Sequence, residues 1–282
     1  KKAQEQAEPK YTHIIVDESQ DLTRVQLEFL KMLYKSGDYS SLLFVADTAQ
    51  SIYPHSWLVR GRSFTSLGLD LTGRGNVLSK NYRTTTQIAQ AAYSLIEENT
   101  DIVEDEYYVE PALLDKQGQY PVYKHFFTEN EEAEYVAREI RQLLSTYRPG
   151  EIIVIARLNR QLELVQLQLE EQGLTCQLLK GIKLLTIHSI KGLEFKVVFI
   201  VGLNDSVIPY CSYMELNEDM QEITERKLFY VGMARASECL YMSSCAKPSR
   251  FINSISPKYL RLSSANRFSH MYNIRPDEYQ YG

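Results

Sequence analysis

Short runs of purely apolar residues alternate with stretches of helical periodicity, and this alternation limits what the chain can fold into more than any other feature. Ile152–Ala156 and the run around Val197, Val198, Phe199 and Ile200 are the clearest examples. A strand that is apolar on both faces needs cover on both, which helices packed on a parallel sheet provide. Residues 84–98 place Ile88, Ala91, Ala92, Leu95 and Ile96 on one helical face, and residues 131–146 do the same with Val136, Ile140, Leu143 and Leu144. A helix over 160–172 is closed by Gly173, and 222–236 reads as another. Thr23 and Gln26 form a capping box ahead of Val25, Phe29, Leu30 and Leu33. Further strands are expected at 12–16, 41–46, 183–187 and 240–243. The expected fold class is α/β with parallel sheets, without internal repeats.

The 282 residues suffice for one or two domains. With 31 Lys+Arg against 36 Asp+Glu, the net charge of −5 excludes a uniformly basic coat but not a local basic groove. No apolar run approaches the length of a membrane span, about 18 residues, so no membrane is expected. The four cysteines, Cys176, Cys211, Cys239 and Cys245, lack C-x-x-C spacing. That argues against a zinc site or disulfide scaffold and fits a reducing, cytoplasmic setting. The chain opens on Lys-Lys with neither Met nor a signal peptide, and is read as a piece of a longer protein. Residues 97–110 hold seven acids and no base, the composition of a solvated connection. The final 36 residues carry six bases and two acids, and read as a surface tail or a nucleic-acid contact.

The first chemical signal is Val16-Asp17-Glu18-Ser19-Gln20-Asp21. A buried strand here delivers two adjacent carboxylates to its C-terminal edge, where open α/β sheets bind ligands. One carboxylate can hold Mg²⁺, and the next can orient and deprotonate a water that attacks a γ-phosphate. Taken alone, the same residues equally suit a turn and helix cap.

Four further segments follow: Ala46-Asp47-Thr48-Ala49-Gln50-Ser51-Ile52-Tyr53; Leu78-Ser79-Lys80-Asn81-Tyr82-Arg83; Leu185 through Phe195, containing Thr186, His188 and Lys191-Gly192-Leu193-Glu194; and Glu225 through Ala236, containing Tyr230, Met233 and Arg235. In this order the five segments resemble the UvrD/Rep-type superfamily 1 helicases. The resemblance implies a RecA-like P-loop NTPase fold: a partial first domain over 1–76, a second RecA-like domain over 77–250, and a C-terminal tail over 251–282. It also implies ATP and Mg²⁺ in the cleft between two lobes, and 3′ to 5′ movement on single-stranded DNA, which can be partly duplex. By resemblance, Asp17 binds the metal and Glu18 serves the attacking water. Gln50 senses the γ-phosphate, Arg83 and Arg235 are arginine fingers, Tyr82 stacks on adenine, and Glu194 binds the ribose. Thr186 and His188 contact the DNA strand. Trp57 is either a base-stacking aromatic or a core anchor.

The departures are specific. No G-x-x-x-x-G-K-[ST] phosphate loop occurs, so this chain alone is expected to show little ATPase activity. Only about ten residues, Gly173–Ile182, stand where the family carries a large accessory insertion. Ala46, Ser19, Lys227 and Ala234 replace the usual Gly, Ala, Arg and Thr. The competing reading is a helicase-like nucleotide switch or scaffold that binds nucleic acid, or a nuclease, repair or replication partner, without unwinding. Retention of Asp17, Glu18, Gln50, Arg83 and Arg235 together favours the motor.

Overall fold

The computed structural model describes residues 9–53, 56–57, 64–69, 74–76, 78–97, 99–103, 112–113, 116–174, 181–205, 207–210 and 218–262. In chain order its elements are β1 (His13–Val16), α1 (Arg24–Leu33), β2 (Ser41–Phe44), β3 (Lys80–Asn81), α2 (Thr86–Ser94), α3 (Thr100–Val103), β4 (Ala112–Leu113), β5 (Val122–Phe126), α4 (Glu129–Leu143), β6 (Ile152–Ala156), α5 (Arg160–Glu171), β7 (Lys183–Thr186), β8 (Phe195–Ile200), α6 (Glu218–Met233), β9 (Ala236–Cys245), α7 (Arg250–Ser254) and β10 (Arg261–Leu262). They fall into two compact units. Unit 1 is Lys1–Lys80 with Asn99–Ala112, and unit 2 is Asn81–Glu98 with Leu113–Gly282.

In unit 1, β1 and β2 pair in parallel, from His13 opposite Ser41 to Val16 opposite Phe44. α1 connects them, starting at the capping box: Thr23 accepts from Gln26 N, and the Gln26 side chain accepts from Thr23 N at 2.8 Å. The buried face of α1 sets Leu27 against Trp57, Phe64 and Leu67. Within the acid-rich stretch, Asn99 Oδ1 accepts from Ile102 N at 3.1 Å and starts the single turn of α3, which buries Ile102. The rest of that stretch, 104–110, lies outside the described residues.

Unit 2 is built on a six-stranded sheet in the order β10-β5-β9-β8-β6-β7, with every neighbouring pair parallel. The wholly apolar β6, and β8, which is apolar but for the exposed Lys196, lie inside it, and Ile152 through Ala156 are fully buried. α4 and α5 cover one side, where Val136, Ile140, Val165 and Leu169 join Val154, Val197 and Phe199 in a single core. α6 packs so closely on the sheet that a Cβ on Gly232 would lie 3.3 Å from Ile155 and 3.4 Å from Ile187 and Ile200. A side chain at this position would press on three core isoleucines.

Among the boundaries that differ from the sequence expectation, three bear on the packing of unit 2. β9 runs ten residues rather than four, because its polar residues are paired inside the core: Ser244 Oγ lies 2.7 Å from Tyr123 Oη and 2.9 Å from His125 Nδ1. α6 ends at Met233, which puts Arg235 in the turn to β9, where its carbonyl accepts from Phe195 N at 3.0 Å. Residues 251–262, read as the start of a tail, fold onto unit 2: α7 buries Phe251 and Ile252, and β10 pairs with β5. Residues 263–282 lie outside the described residues.

Glu132 of α4 sits in this core at 5% exposure, accepting from Gly202 N at 2.8 Å and Ser243 Oγ at 2.5 Å. Burial pushes its carboxyl above the usual range, against the pull of those hydrogen bonds. The folded state therefore binds this proton more tightly than the unfolded one, and stability falls as pH rises from the unfolded carboxylate value toward the raised folded one. In Glu132→Gln, which keeps an acceptor for both donors, the thermal midpoint should fall less than that of the wild type as pH rises above about 4.5. Parallel pH profiles for the two proteins would rule this out.

Candidate active site

At the C-terminal edge of β1 the chain turns sharply. Val45 N donates to Val16 O at 2.8 Å, and Ser19 donates to Val45 O through both N and Oγ, at 2.9 and 2.8 Å, fastening this turn to the end of β2. Asp17 is exposed, with Oδ1 accepting from Glu18 N at 2.9 Å. Glu18 adopts φ 50 and ψ 38, a left-handed conformation that a non-glycine residue holds only when its surroundings impose it. The imposing group is Gln20, fully buried, whose Nε2 donates to the Glu18 carboxylate and whose Oε1 accepts from Asp47 N at 3.1 Å. Asp47 Oδ2 in turn accepts from Gln50 Nε2 at 2.6 Å. One polar chain, Glu18–Gln20–Asp47–Gln50, thus joins the edges of β1 and β2. The sequence reading missed Gln20. The available signal was a long amide between two acid-bearing turns, the type of group that, once buried, must be fully hydrogen-bonded. The Tyr53 phenol is pushed up by burial and then by the charges of Asp21 and Glu18.

In unit 2, Arg83 Nε donates to Glu194 Oε2 at 2.9 Å, joining residues 111 apart in sequence. Both side chains are well exposed, so the pair contributes little to stability and stays accessible to a ligand. Glu194 is displayed by the loop between β7 and β8, where Gly192 takes φ 79. A Cβ at that position would meet nothing within 4 Å, so the glycine serves backbone conformation rather than close approach. Arg235 is 1% exposed. Its Nε donates to Val231 O at 3.2 Å and its Nη1 to Leu193 O at 3.5 Å, on the residue before Glu194. The Leu193–Phe195 loop therefore gathers Arg83, Glu194 and Arg235 into one cluster. Tyr82, beside Arg83, is 73% exposed, an open ring face.

Thr186 and His188 stand at the end of β7, where Thr186 pairs with Ala156 of β6. That register sets Arg157 alongside them. Arg157 makes three hydrogen bonds to Glu225 of α6, at 2.8 to 3.1 Å, and its guanidinium lies 5.1 Å from the Tyr210 ring, while Tyr210 N donates to Glu225 at 3.0 Å. Burial lowers the His188 pKa and the Arg157 charge lowers it further, against Glu225. Thr186 Oγ1 lies 2.9 Å from Ser189 Oγ. Neither Arg157 nor Glu225 stood among the sequence candidates, since their pairing spans 68 residues.

Trp57 is corrected. It is 6% exposed, donates its backbone N–H to Leu22 O at 2.8 Å, and packs with Leu27, Phe64 and Leu67 under the Arg24 guanidinium, 5.2 Å from the ring. A ring enclosed in this way offers no face to a base, and Trp57 is a core anchor of unit 1. Among the described residues no group of three or more His, Cys, Asp or Glu could hold a metal by itself.

Residues 76–185 and 177–247 match the UvrD-like helicase C-terminal domain, and residues 1–57 match the UvrD/REP helicase N-terminal domain. The chain belongs to the UvrD/Rep helicase family. It is 29% identical to a "Probable DNA helicase" of Mycoplasma pneumoniae, over 94% of this chain and 51% of that protein. It is 34% identical to the ATP-dependent DNA helicase PcrA of Staphylococcus aureus, over 31% of this chain and 13% of that one. The chain thus spans about half the length of the Mycoplasma relative and matches a smaller part of the Staphylococcus one. A solved C-terminal domain of a possible DNA helicase from Lactobacillus plantarum aligns with TM-score 0.48 and 18% identity, over 64% of this chain and 98% of that one. No described helix is long and apolar enough to cross a membrane.

In this UvrD/Rep chain the Arg157–Glu225 pair is mostly buried, at 16% and 7% side-chain exposure. Glu225→Ala strands the guanidinium and should cost about 3 kcal/mol in chemical denaturation. The double variant Arg157→Met/Glu225→Leu should recover much of that loss, because neither charge is then left alone. A single-variant cost below about 1 kcal/mol would show that solvent, not Glu225, satisfies Arg157.

Proposed function

We propose that this chain is the part of an ATP-dependent 3′–5′ DNA helicase that carries the water-activating carboxylates and both arginine fingers. The observation that carries the reading is that Arg83 and Arg235, from two other segments of unit 2, both contact the loop that displays Glu194. In this reading the exposed Arg83 guanidinium meets the dispersed negative charge of a transferring phosphoryl group directly. Arg235, 1% exposed, reaches it once its contacts to Val231 O and Leu193 O are released.

Each side chain has a defined part in this reading. Asp17, exposed at a strand edge and one of its oxygens engaged by Glu18 N, presents a hard carboxylate oxygen. A Mg²⁺ that takes most of its ligands from phosphate and water needs few such groups, so the donor chemistry fits. When bound, the ion would neutralise charge on the β- and γ-phosphates. Glu18, held in position by Gln20, accepts the proton of the attacking water. Gln50, oriented by Asp47, directs its amide to the water or γ-phosphate. Arg83 exchanges its contact with Glu194 for phosphate oxygens, which releases the Glu194 carboxylate for the ribose hydroxyls. Tyr82 supplies the stacking face for adenine. Thr186 and His188, at the C-terminal edge of the sheet, take the single-stranded DNA backbone, the lowered pKa keeping the imidazole neutral at pH 7. Without a phosphate loop, the 282 residues alone do not turn ATP over.

The test is DNA-stimulated ATPase and strand separation by the full-length protein. Arg235→Ala should reduce turnover by a factor of about 10³ or more while leaving nucleotide affinity largely intact. Turnover that survives the substitution would remove Arg235 from the finger role. A full-length protein that binds DNA and nucleotide without hydrolysis would favour the switch or scaffold reading instead.

A further inference from the structure

Resting on the arginine roles just proposed, we infer that Lys116 is a positioning residue that closes the arginine cluster from behind. Its ammonium donates to the backbone carbonyl of Arg83 at 2.7 Å and to that of Ser237 at 3.2 Å. Ser237 follows Arg235 by two residues, so one side chain ties together the two segments that display the two guanidinium groups. A lysine has three N–H donors on one compact charge, which suits it to bridging two carbonyls that approach from different directions.

The bridge closes a ring. Starting at Lys116, it passes through Arg83 to Glu194 by the 2.9 Å ion pair. From the Glu194 loop it continues to Arg235, through Arg235 Nη1 to Leu193 O and Phe195 N to Arg235 O. From Arg235 it returns through Ser237 to Lys116. Opening any link leaves Arg83 and Arg235 joined on one side only.

Lys116 can act this way because its own backbone is fastened. Its carbonyl accepts from Thr86 N at 2.8 Å at the start of α2. Gln87 Nε2 donates to Gln117 Oε1 at 2.5 Å, and Gly118 N donates to Gln87 Oε1 at 2.8 Å. Gly118 lies so close to Thr85 that a Cβ there would overlap the Thr85 methyl group. The segment is pressed against the N-terminal turn of the helix that follows Arg83, and the ammonium is delivered from a fixed base. Both acceptors are carbonyls, so the contact is independent of the protonation of any carboxylate.

Two measurements test this. In the 282-residue chain, Lys116→Met, which keeps the length of the stem and removes the donors, should speed amide exchange in both 83–86 and 236–238 by about fivefold and leave β6 unchanged. In the full-length protein it should lower kcat of the DNA-stimulated ATPase by roughly 10- to 100-fold with KM for ATP and DNA affinity held within about twofold. Lys116→Arg, which retains donors, should recover part of kcat. Unchanged exchange at either segment overturns the bridge. Faster exchange with unchanged kcat, or a general loss of stability and DNA affinity, overturns the positioning role while the arginine assignments stand. A wild-type protein without DNA-stimulated ATPase overturns those assignments, and the role of Lys116 with them.

Discussion

Parallel strand pairing is the constraint on which the rest of unit 2 depends. All six strands run the same way, so the loops that follow them emerge along one edge. Residues distant in sequence become neighbours there without any local signal: Arg157 follows β6, Thr186 and His188 end β7, and Gly202 follows β8. The pairing is sustained by β6 and by Val197–Ile200 of β8, which are buried and cannot slip register without exposing apolar side chains. The same edge logic operates in unit 1, where β1 and β2 carry Asp17, Glu18, Asp47 and Gln50 to one end.

The polar groups follow a second rule, that a buried donor or acceptor must be paired. Gln20, Glu132 and Arg157 each lie at the junction of two or more elements and are satisfied by both. These residues hold turns in place rather than react. Glu18 keeps its left-handed backbone because Gln20 and the Ser19–Val45 contacts hold the turn on both sides. The Arg157–Glu225–Tyr210 group holds α6 to the edge where His188 stands. The exposed pair Arg83–Glu194 is of the opposite kind: a contact weak enough to be exchanged for a ligand.

Much of the fold was legible in the amino-acid order, and the reasons are local. β6 was readable to the residue because five consecutive apolar positions have few other uses, and the α1 capping box because its reciprocal bonds join two residues only three apart, Thr23 and Gln26. β5 was not readable. Its sequence Val-Tyr-Lys-His-Phe has no continuous apolar character, and its interior place depends on Ser244 meeting Tyr123 and His125 across the sheet. Trp57 shows the same limit. A lone aromatic after a polar loop suits a base or a core equally, and only the packing of Leu27, Phe64 and Leu67 around it decides.

By itself, the sequence determined the fold class, the principal strands and helices and the family, because periodicity and ordered motifs are properties of neighbouring residues. It also singled out Asp17, Glu18, Gln50, Arg83, Glu194 and Arg235 as candidate site residues. Only the tertiary structure decided which of them touch: Arg83 with Glu194, Arg235 with the carbonyl of Leu193, and Lys116 behind them. These contacts span 33 to 121 residues. Pairings at that range are set by strand register and helix packing, which no short stretch of sequence contains.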